Sequence, residues 1–253
     1  MSNYNNHAFC EKWIVDNMMD RSVRVLDYGC GAGEVVKLLR KHGVSAFGCD
    51  IFYGANDRSA LVDPSLFGSI IRRMEADGGD YTIPYANDSF DFVINDQVLE
   101  HVENLSNTLA EIWRVLKPGG EVLSLFPTRS VWCEVHCGIP FIHWFPKGST
   151  TRVYYAATLR LFGAGYRKEN KTPLRWSLEF CEYLDKYTYY RTEKAIRFTF
   201  NKYFSDIRHI EDVRLRHRLG KRWALVAWLP RSIQQLVVRK VGGVVFVAVK
   251  PVT

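Results

Sequence analysis

Three glycines at alternating positions, Gly29, Gly31 and Gly33, follow the apolar pair Val25-Leu26 and run straight into Glu34 and a helix-forming stretch. Glycine has no Cβ, so the chain can turn sharply there and let a ligand press on its N–H groups, while a following helix N-terminus adds further free donors. That is the chemistry of a cofactor-holding loop. The spacing discriminates between cofactors. A dinucleotide loop reads G-x-G-x-x-G, whereas this one reads G-x-G-x-G with Glu34 in the sixth position. A pyrophosphate beside that carboxylate would be badly placed, which argues against a nicotinamide-dependent oxidoreductase.

Carboxylates accompany the glycines. Asp27 precedes Gly29, and Asp50 closes the short apolar run Val44 to Cys49, 17 residues after Gly33. A carboxylate at a strand end can accept two hydrogen bonds from a diol. Further on, Ile83-Pro84-Tyr85 and Asp88-Ser89-Phe90-Asp91 lead into Phe92-Val93-Ile94, then Asn95-Asp96-Gln97-Val98-Leu99-Glu100-His101-Val102, and later Leu116-Lys117-Pro118-Gly119-Gly120. These motifs, in this order, resemble the small-molecule branch of the class I S-adenosylmethionine-dependent methyltransferases. The resemblance implies a Rossmann-like α/β fold, a seven-stranded, mostly parallel sheet with helices on both faces, and S-adenosylmethionine as the methyl donor. It also implies roles: Gly29, Gly31 and Gly33 beneath the donor, Asp27 near its amino group, Asp50 on the ribose, Ile51 on the adenine and Asn95 facing the methionine portion through side chain or carbonyl. An acidic residue of Asp77-Gly78-Gly79-Asp80 would read the adenine amine, Asp80 being preferred.

Three histidines are candidate general bases, because neutral imidazole can take a proton from an acceptor. His101 follows the Asn95 strand end; His136 and His143 lie in Trp132 to Pro146, a stretch rich in aromatic residues that includes Trp144 and Phe145 and is expected to line the acceptor pocket. Cys133, His136, Cys137 and His143 invite a metal reading, but Cys133 and Cys137 lack a well-separated second pair, so the spacing argues against a zinc site.

The elements that must position these groups follow from the pattern. Short apolar strands alternate with helical segments at Glu34 to Lys41, Pro64 to Met74 and Leu105 to Leu116, the last ended by Pro118 and Gly119, which implies a parallel sheet covered on both faces. Ser205 to Leu215 and Gly243 to Lys250 read as two closing strands. Residues 128–190 form an aromatic-rich insert after the fifth strand, expected to recognise the acceptor within one methyltransferase domain spanning 1–253. At 253 residues and 47% hydrophobic content, one sizeable core is affordable. No run reaches membrane-spanning length and the N-terminus lacks a secretory pattern. With six scattered cysteines, reduced thiols and a cytoplasmic location are expected.

The formal charge of +7 asks for an anionic partner. Its excess is local: Arg208, Arg214, Arg216, Arg218, Lys221, Arg222, Arg231, Arg239 and Lys240 interleave with Trp223 to Pro230 and Ile233 to Val238. Such a segment fits peripheral contact with the inner membrane surface through 218–240, and it equally fits a helix packed between strands. No nucleic-acid module appears. The expected reaction is methyl transfer to an oxygen or nitrogen of a small-molecule, glycan or lipid-linked acceptor. The alternative is an inactive methyltransferase-fold scaffold at a membrane surface.

Overall fold

Alternating buried runs produce a layered α/β architecture. In this computed structural model, residues 4–52, 57–77, 80–166 and 170–252 are described. A central sheet draws together β1 (Arg24–Tyr28), β2 (Ser45–Asp50), β3 (Ile71–Arg73), β6 (Phe90–Asp96), β7 (Leu116–Phe126), β8 (Ser205–His209) and β9 (Val244–Val249). A separate hairpin pairs β4 (Glu75–Asp77) with β5 (Asp80–Thr82). The sheet runs β3-β2-β1-β6-β7-β9-β8 and is parallel except where β9 pairs with β7 and β8. Chain order reverses between β1 and β6. In open parallel sheets that reversal creates the crevice where ligands bind, beyond the carboxyl ends of the strands.

Period-two alternation sorts the strand side chains onto two faces. One face buries Val25, Ala46, Phe92, Ile94, Val245 and Val247 beneath α1 (Tyr4–Asn17) and α2 (Glu34–Lys41), which contribute Phe9, Ile14, Val36 and Leu39. The other buries Leu26, Val93, Val122 and Phe246 beneath α3 (Leu105–Val115) and α6 (Glu193–Phe200). Asp27, Asp50 and Asp96 alternate in phase with the first face, so their side chains share it. Asn95 falls on the second.

Two expected elements come out differently. Pro64 to Met74 is not a helix: it turns at residues 64–66 and Gly68 (φ 84°) and then forms β3. The positive φ breaks the helical path and releases β-branched Ile71 into the sheet. The strand expected over Ser205 to Leu215 ends at His209, and α7 (Glu211–Leu219) begins at once, with Glu211 and Asp212 in its first turn and Arg216, His217 and Arg218 in its last. That charge order complements the helix dipole. The segment 218–240 is no single helix either. A 3₁₀ turn over Gly220–Leu225 precedes α8 (Arg231–Gly242).

Residues 128–190 build their own small core. Helices α4 (Thr150–Leu161) and α5 (Pro173–Tyr187) pack with Cys137, Ile139, Ile142, Ala156, Trp176, Cys181 and Leu184. Arg191, just beyond, fastens this unit to the loop after β6 by donating to the carbonyls of Leu99 (3.2 Å), Val102 (2.6 Å) and Glu103 (2.6 Å). Tyr189 N–H donates to the Glu100 carbonyl (2.7 Å). The insert is thereby docked against the mouth of the crevice.

Candidate active site

The glycine loop connects β1 to α2 with all three glycines at positive φ, 76°, 52° and 77°. A Cβ on Gly29 would lie 2.4 Å from Val98 Cγ2, and one on Gly33 would lie 2.3 Å from Ile71 Cδ1. At Gly31 the nearest atom is Arg58 Cδ at 3.8 Å. Among the described residues, Gly29 and Gly33 are thus hemmed in by neighbouring side chains, while Gly31 leaves its outer side open. Asp50 shapes the same loop, its Oδ2 accepting from Gly31 N–H (2.8 Å) and its Oδ1 from Phe52 N–H (2.9 Å).

Asp27 and Asp96 stand on adjacent strands at the reversal point. Burial, then the charges of Asp96 and Asp50, hold the Asp27 carboxyl well above the usual carboxylate range. Asp96 is raised to about 7, chiefly by burial, against the opposing pull of Arg214 and a hydrogen bond from Asn6. Helix α1 closes over this pair: Asn6 Nδ2 donates to Asp96 Oδ1 (2.8 Å), His7 Nε2 stands 4.0 Å from Asp96 Oδ2, and Arg214 Nη2 donates to Asn6 Oδ1 (2.6 Å). Asp96 stands beside the predicted Asn95 in the sequence and was missed there; strand phase is the signal that selects it. The Asn95 side chain is fully buried on the other face and donates to Ser124 Oγ (2.9 Å), so only its backbone is left for the crevice. Ile51 packs half-buried near the end of β2, its carbonyl accepting from Arg73. The side chains of Asp77 and Asp80 lie outside the described residues.

The structure brings two of the three predicted histidines together. His101 and His136 approach with their Nε2 atoms 3.2 Å apart. His101 Nδ1 lies 2.6 Å from the Tyr187 carbonyl, and His136 Nδ1 lies 2.6 Å from Glu134 Oε1. Glu134, with no exposed surface, also accepts from Tyr190 OH and from the N–H groups of His136 (2.8 Å) and Cys137 (2.7 Å). Burial alone would raise its pKa; the hydrogen bonds from His136, Tyr190 and Cys137, with the charge of His136, outweigh it and hold the carboxyl down at about 2. Glu100 is its opposite. Burial, with the nearby charges of Asp96 and Glu134, pushes its pKa well above the ordinary value, and neither oxygen has a hydrogen-bond partner among the described residues. Burial also lowers the His101 pKa, with the neighbouring His136 acting in the same sense.

His143 is placed apart from that pair. Its ring packs on Tyr190, 4.8 Å between centroids, and both line a cleft of about 160 Å³ with Arg129, Phe145, Lys147 and Arg152. Phe145 faces Tyr155 (5.0 Å), and Trp144 Nε1 donates to the Arg129 carbonyl (2.7 Å). Tyr190 touches both places, lining the cleft and bonding Glu134. The cationic side chains of this cleft and the Glu134 relay come from residues scattered over the insert, and no local spacing announced them.

The comparisons agree with this geometry. A family model described as a methyltransferase domain matches residues 26–124, from β1 to the middle of β7. Among curated proteins, the biotin biosynthesis bifunctional protein BioHC of Saccharophagus degradans is 26% identical over 138 residues, covering 51% of this chain and 23% of that protein. A ubiquinone biosynthesis O-methyltransferase of Maricaulis maris is 29% identical over 130 residues, covering 50% of each. The chain therefore spans half or less of the length of these two relatives. Among solved structures, phosphoethanolamine N-methyltransferase 2 of Haemonchus contortus, in complex with phosphomonomethylethanolamine and S-adenosylhomocysteine, superposes with a TM-score of 0.53 at 17% identity, covering 96% of this chain and 53% of that one. Sheet order, glycine loop and family match converge: residues 26–124 match a methyltransferase domain, and the chain has the fold of the class I S-adenosylmethionine-dependent methyltransferases.

Proposed function

We propose that this protein transfers the methyl group of S-adenosylmethionine to an oxygen or nitrogen of a small-molecule, glycan or lipid-linked acceptor. The observation that carries the reading is the Asp27–Asp96 pair, two buried carboxyls beside the glycine loop at the tips of β1 and β6. Buried like charges raise each other's pKa and favour a bound cation between them. The ammonium of the donor's methionine portion is such a cation. Gly31 offers an open backbone surface, Asp50 keeps lone pairs for the ribose hydroxyls, Ile51 supplies an apolar face for adenine and the Asn95 backbone remains available to the methionine portion. Asp80 is the proposed partner of the adenine amine.

When bound, S-adenosylmethionine supplies a methyl group already activated by a positive sulfur. The protein's task is then to align the acceptor and exclude water. Residues 128–190, which lie beyond the family match, are the proposed recognition unit, with the cleft between His143, Phe145 and Tyr190 as the acceptor's entrance. The acceptor's proton leaves at the His101–His136 pair, backed by Glu134 and Tyr190. His143, packed on Tyr190 at the cleft, serves binding in this reading.

A second feature bears on how the acceptor is met. Helix α8 exposes Ile233, Leu236, Val237 and Val241, a helical-period apolar stripe, while Gln234 and Val238 are buried on its other side. Gln234 Nε2 donates to the Leu229 carbonyl (2.7 Å), tying α8 to the preceding turn, where Leu225 and Trp228 are more than two-thirds exposed. Exposed Arg216, Lys221 and Arg222 stand nearby in the chain. An apolar stripe beside cations matches an anionic lipid surface. No helix among the described residues is long and apolar enough to cross a membrane, so the proposed contact is peripheral.

Calorimetric titration with S-adenosylmethionine and S-adenosylhomocysteine, with NAD as control, tests the core of the reading. Selective binding of the sulfur compounds supports it and opens an acceptor screen starting from lipid-linked sugars and small phenols. Absence of binding overturns it.

A further inference from the structure

The His101–His136 contact places two ring nitrogens where they can share one cation, a proton or a metal ion. A carbonyl oxygen can only accept, so His101 Nδ1, at 2.6 Å from the Tyr187 carbonyl, must carry the proton in this ring. The Glu134 carboxylate fixes the proton on His136 Nδ1 in the same way. In the neutral form that a metal ligand requires, each imidazole is then left with a bare lone pair on Nε2, and these two atoms face each other at 3.2 Å, a distance that a proton or a metal ion between them would explain. Glu100 completes the group. It is 1% exposed, its oxygens have no hydrogen-bond partner among the described residues, and one of them lies with a ring nitrogen of each histidine in a group whose atoms are all within 4.8 Å of one another.

We infer that Glu100, His101 and His136 form a divalent-cation site of zinc type, with the two Nε2 atoms and one Glu100 oxygen as ligands. The dimensions fit. Two nitrogens at roughly 2.0–2.1 Å from a tetrahedral zinc stand about 3.3 Å apart. The surroundings fit as well, because metal-bound histidines characteristically donate their other N–H to a carboxylate or a backbone carbonyl, which fixes tautomer and ring orientation. Glu134 does this for His136, and the Tyr187 carbonyl does it for His101. Glu134 is itself held by Tyr190 and by two backbone N–H groups.

Three protein ligands leave a tetrahedral ion one open position, the arrangement of catalytic rather than structural zinc. If Tyr190 borders the acceptor's entrance, as proposed above, that position is available to an acceptor oxygen, whose hydroxyl the ion would acidify so that its proton passes to solvent; the histidine pair would then act through the ion and not as the base itself. This consequence rests on the methyltransferase reading, narrowing it to an oxygen acceptor. The ion binding does not rest on it. The sequence led away from this site because it offered a local set, Cys133 to His143, while the assembled ligands come from residues 35 apart, brought together by the docking of the insert.

The test is titration of chelator-treated, full-length protein with Zn²⁺ by calorimetry and with Co²⁺ by visible absorption. The expected result is one ion per chain and a Co²⁺ spectrum of low-coordinate nitrogen and oxygen ligation, unchanged in Cys133→Ser. His136→Ala and Glu100→Gln should each weaken binding on the order of 100-fold, and Glu134→Gln about tenfold. Circular dichroism melts identify any variant that fails to fold, in which case the remaining ones decide. A wild-type protein that binds neither ion stoichiometrically overturns the inference, as does binding that survives His136→Ala or is lost in Cys133→Ser. S-adenosylmethionine titration of the same samples separates the two readings: donor binding without ion binding sinks only this one, and ion binding without donor binding sinks only the other.

Discussion

The Asp50 carboxylate accepts the Gly31 N–H at 2.8 Å, so the end of β2 holds the crest of the glycine loop that follows β1. One carboxylate then has two duties, since its other oxygen accepts the Phe52 N–H at 2.9 Å. Asp50→Ala should weaken S-adenosylmethionine binding by about 1–3 kcal/mol through lost ribose bonds. The variant should also melt at lower temperature even without donor, because two backbone N–H groups lose their partner. Paired calorimetry and thermal melts check this. Unchanged affinity would detach Asp50 from the donor site and leave only its structural duty.

The glycines separate packing from binding. Gly29→Ala places a methyl 2.4 Å from Val98 Cγ2 and 2.8 Å from its Cγ1, and a β-branched side chain has little room to withdraw. That variant should lose about 2 kcal/mol or more of stability through overpacking and backbone strain. Among the described residues, Gly31→Ala meets only Arg58 Cδ at 3.8 Å. It should cost about 1 kcal/mol for the left-handed backbone and act mainly on donor affinity. Urea unfolding of both proteins, set beside donor titrations, distinguishes the cases; a Gly31→Ala protein that binds donor normally would show that the loop crest is not a contact surface.

Legibility in the sequence followed the range of the interactions involved. Helix α2 was expected at Glu34 to Lys41 and lies there, because capping, apolar period and loop glycines are all local. Strand β9 was read to within a residue at each end for the same reason. Which of Asn95 and Asp96 turns its side chain toward α1 depends on the face that β6 presents there, a fact set by sheet pairing. His101 was legible as a candidate, but its partner was not, since only the Arg191 clasp and the fold of residues 128–190 bring His136 to it. The Pro64 to Met74 expectation failed because Gly68 takes a positive φ that no apolar period reveals.

On the proposed donor site, Asp96 should give donor binding a pH dependence. Its carboxyl is raised from 3.8 to about 7, and only the ionised form attracts an ammonium. Raising the pH from 6 to 8 takes the ionised fraction from about a tenth to about nine-tenths, so affinity for S-adenosylmethionine should rise roughly tenfold over that interval. The sign for stability is opposite: a carboxyl whose folded pKa exceeds its unfolded one makes the folded protein bind more protons, so its contribution falls as pH climbs from about 4 to about 7. Asp96→Asn should flatten both profiles and bind donor weakly at pH 8. A pH-independent wild-type affinity would remove Asp96 from the ammonium site.

Trp144 and Phe145 test the cleft. Phe145 lines it and stacks toward Tyr155, while Trp144 is held through its indole N–H on the Arg129 carbonyl. Replacing both with alanine should lower kcat/KM for the acceptor by about tenfold or more, corresponding to about 1.4 kcal/mol of transition-state stabilisation. Donor affinity should stay within about twofold, because neither residue adjoins the glycine loop. Equal losses in both would assign the pair to the packing of the insert.

The exposed stripe of α8 makes the lipid reading quantitative. Vesicles rich in phosphatidylglycerol should retain the protein, whereas pure phosphatidylcholine should not, and added salt should release it because exposed charges are screened over about 10 Å at 0.1 M. Trp228→Ala combined with Leu236→Ser and Val237→Ser removes apolar area while leaving every cation in place. Each buried CH₂ contributes about 0.8 kcal/mol, so even partial insertion of these side chains predicts a loss of more than tenfold in vesicle affinity. Binding that follows charge alone, unchanged in the triple variant, would rule out insertion of the stripe. If the wild type instead dimerises in solution and the triple variant does not, a second copy of the chain is what covers α8.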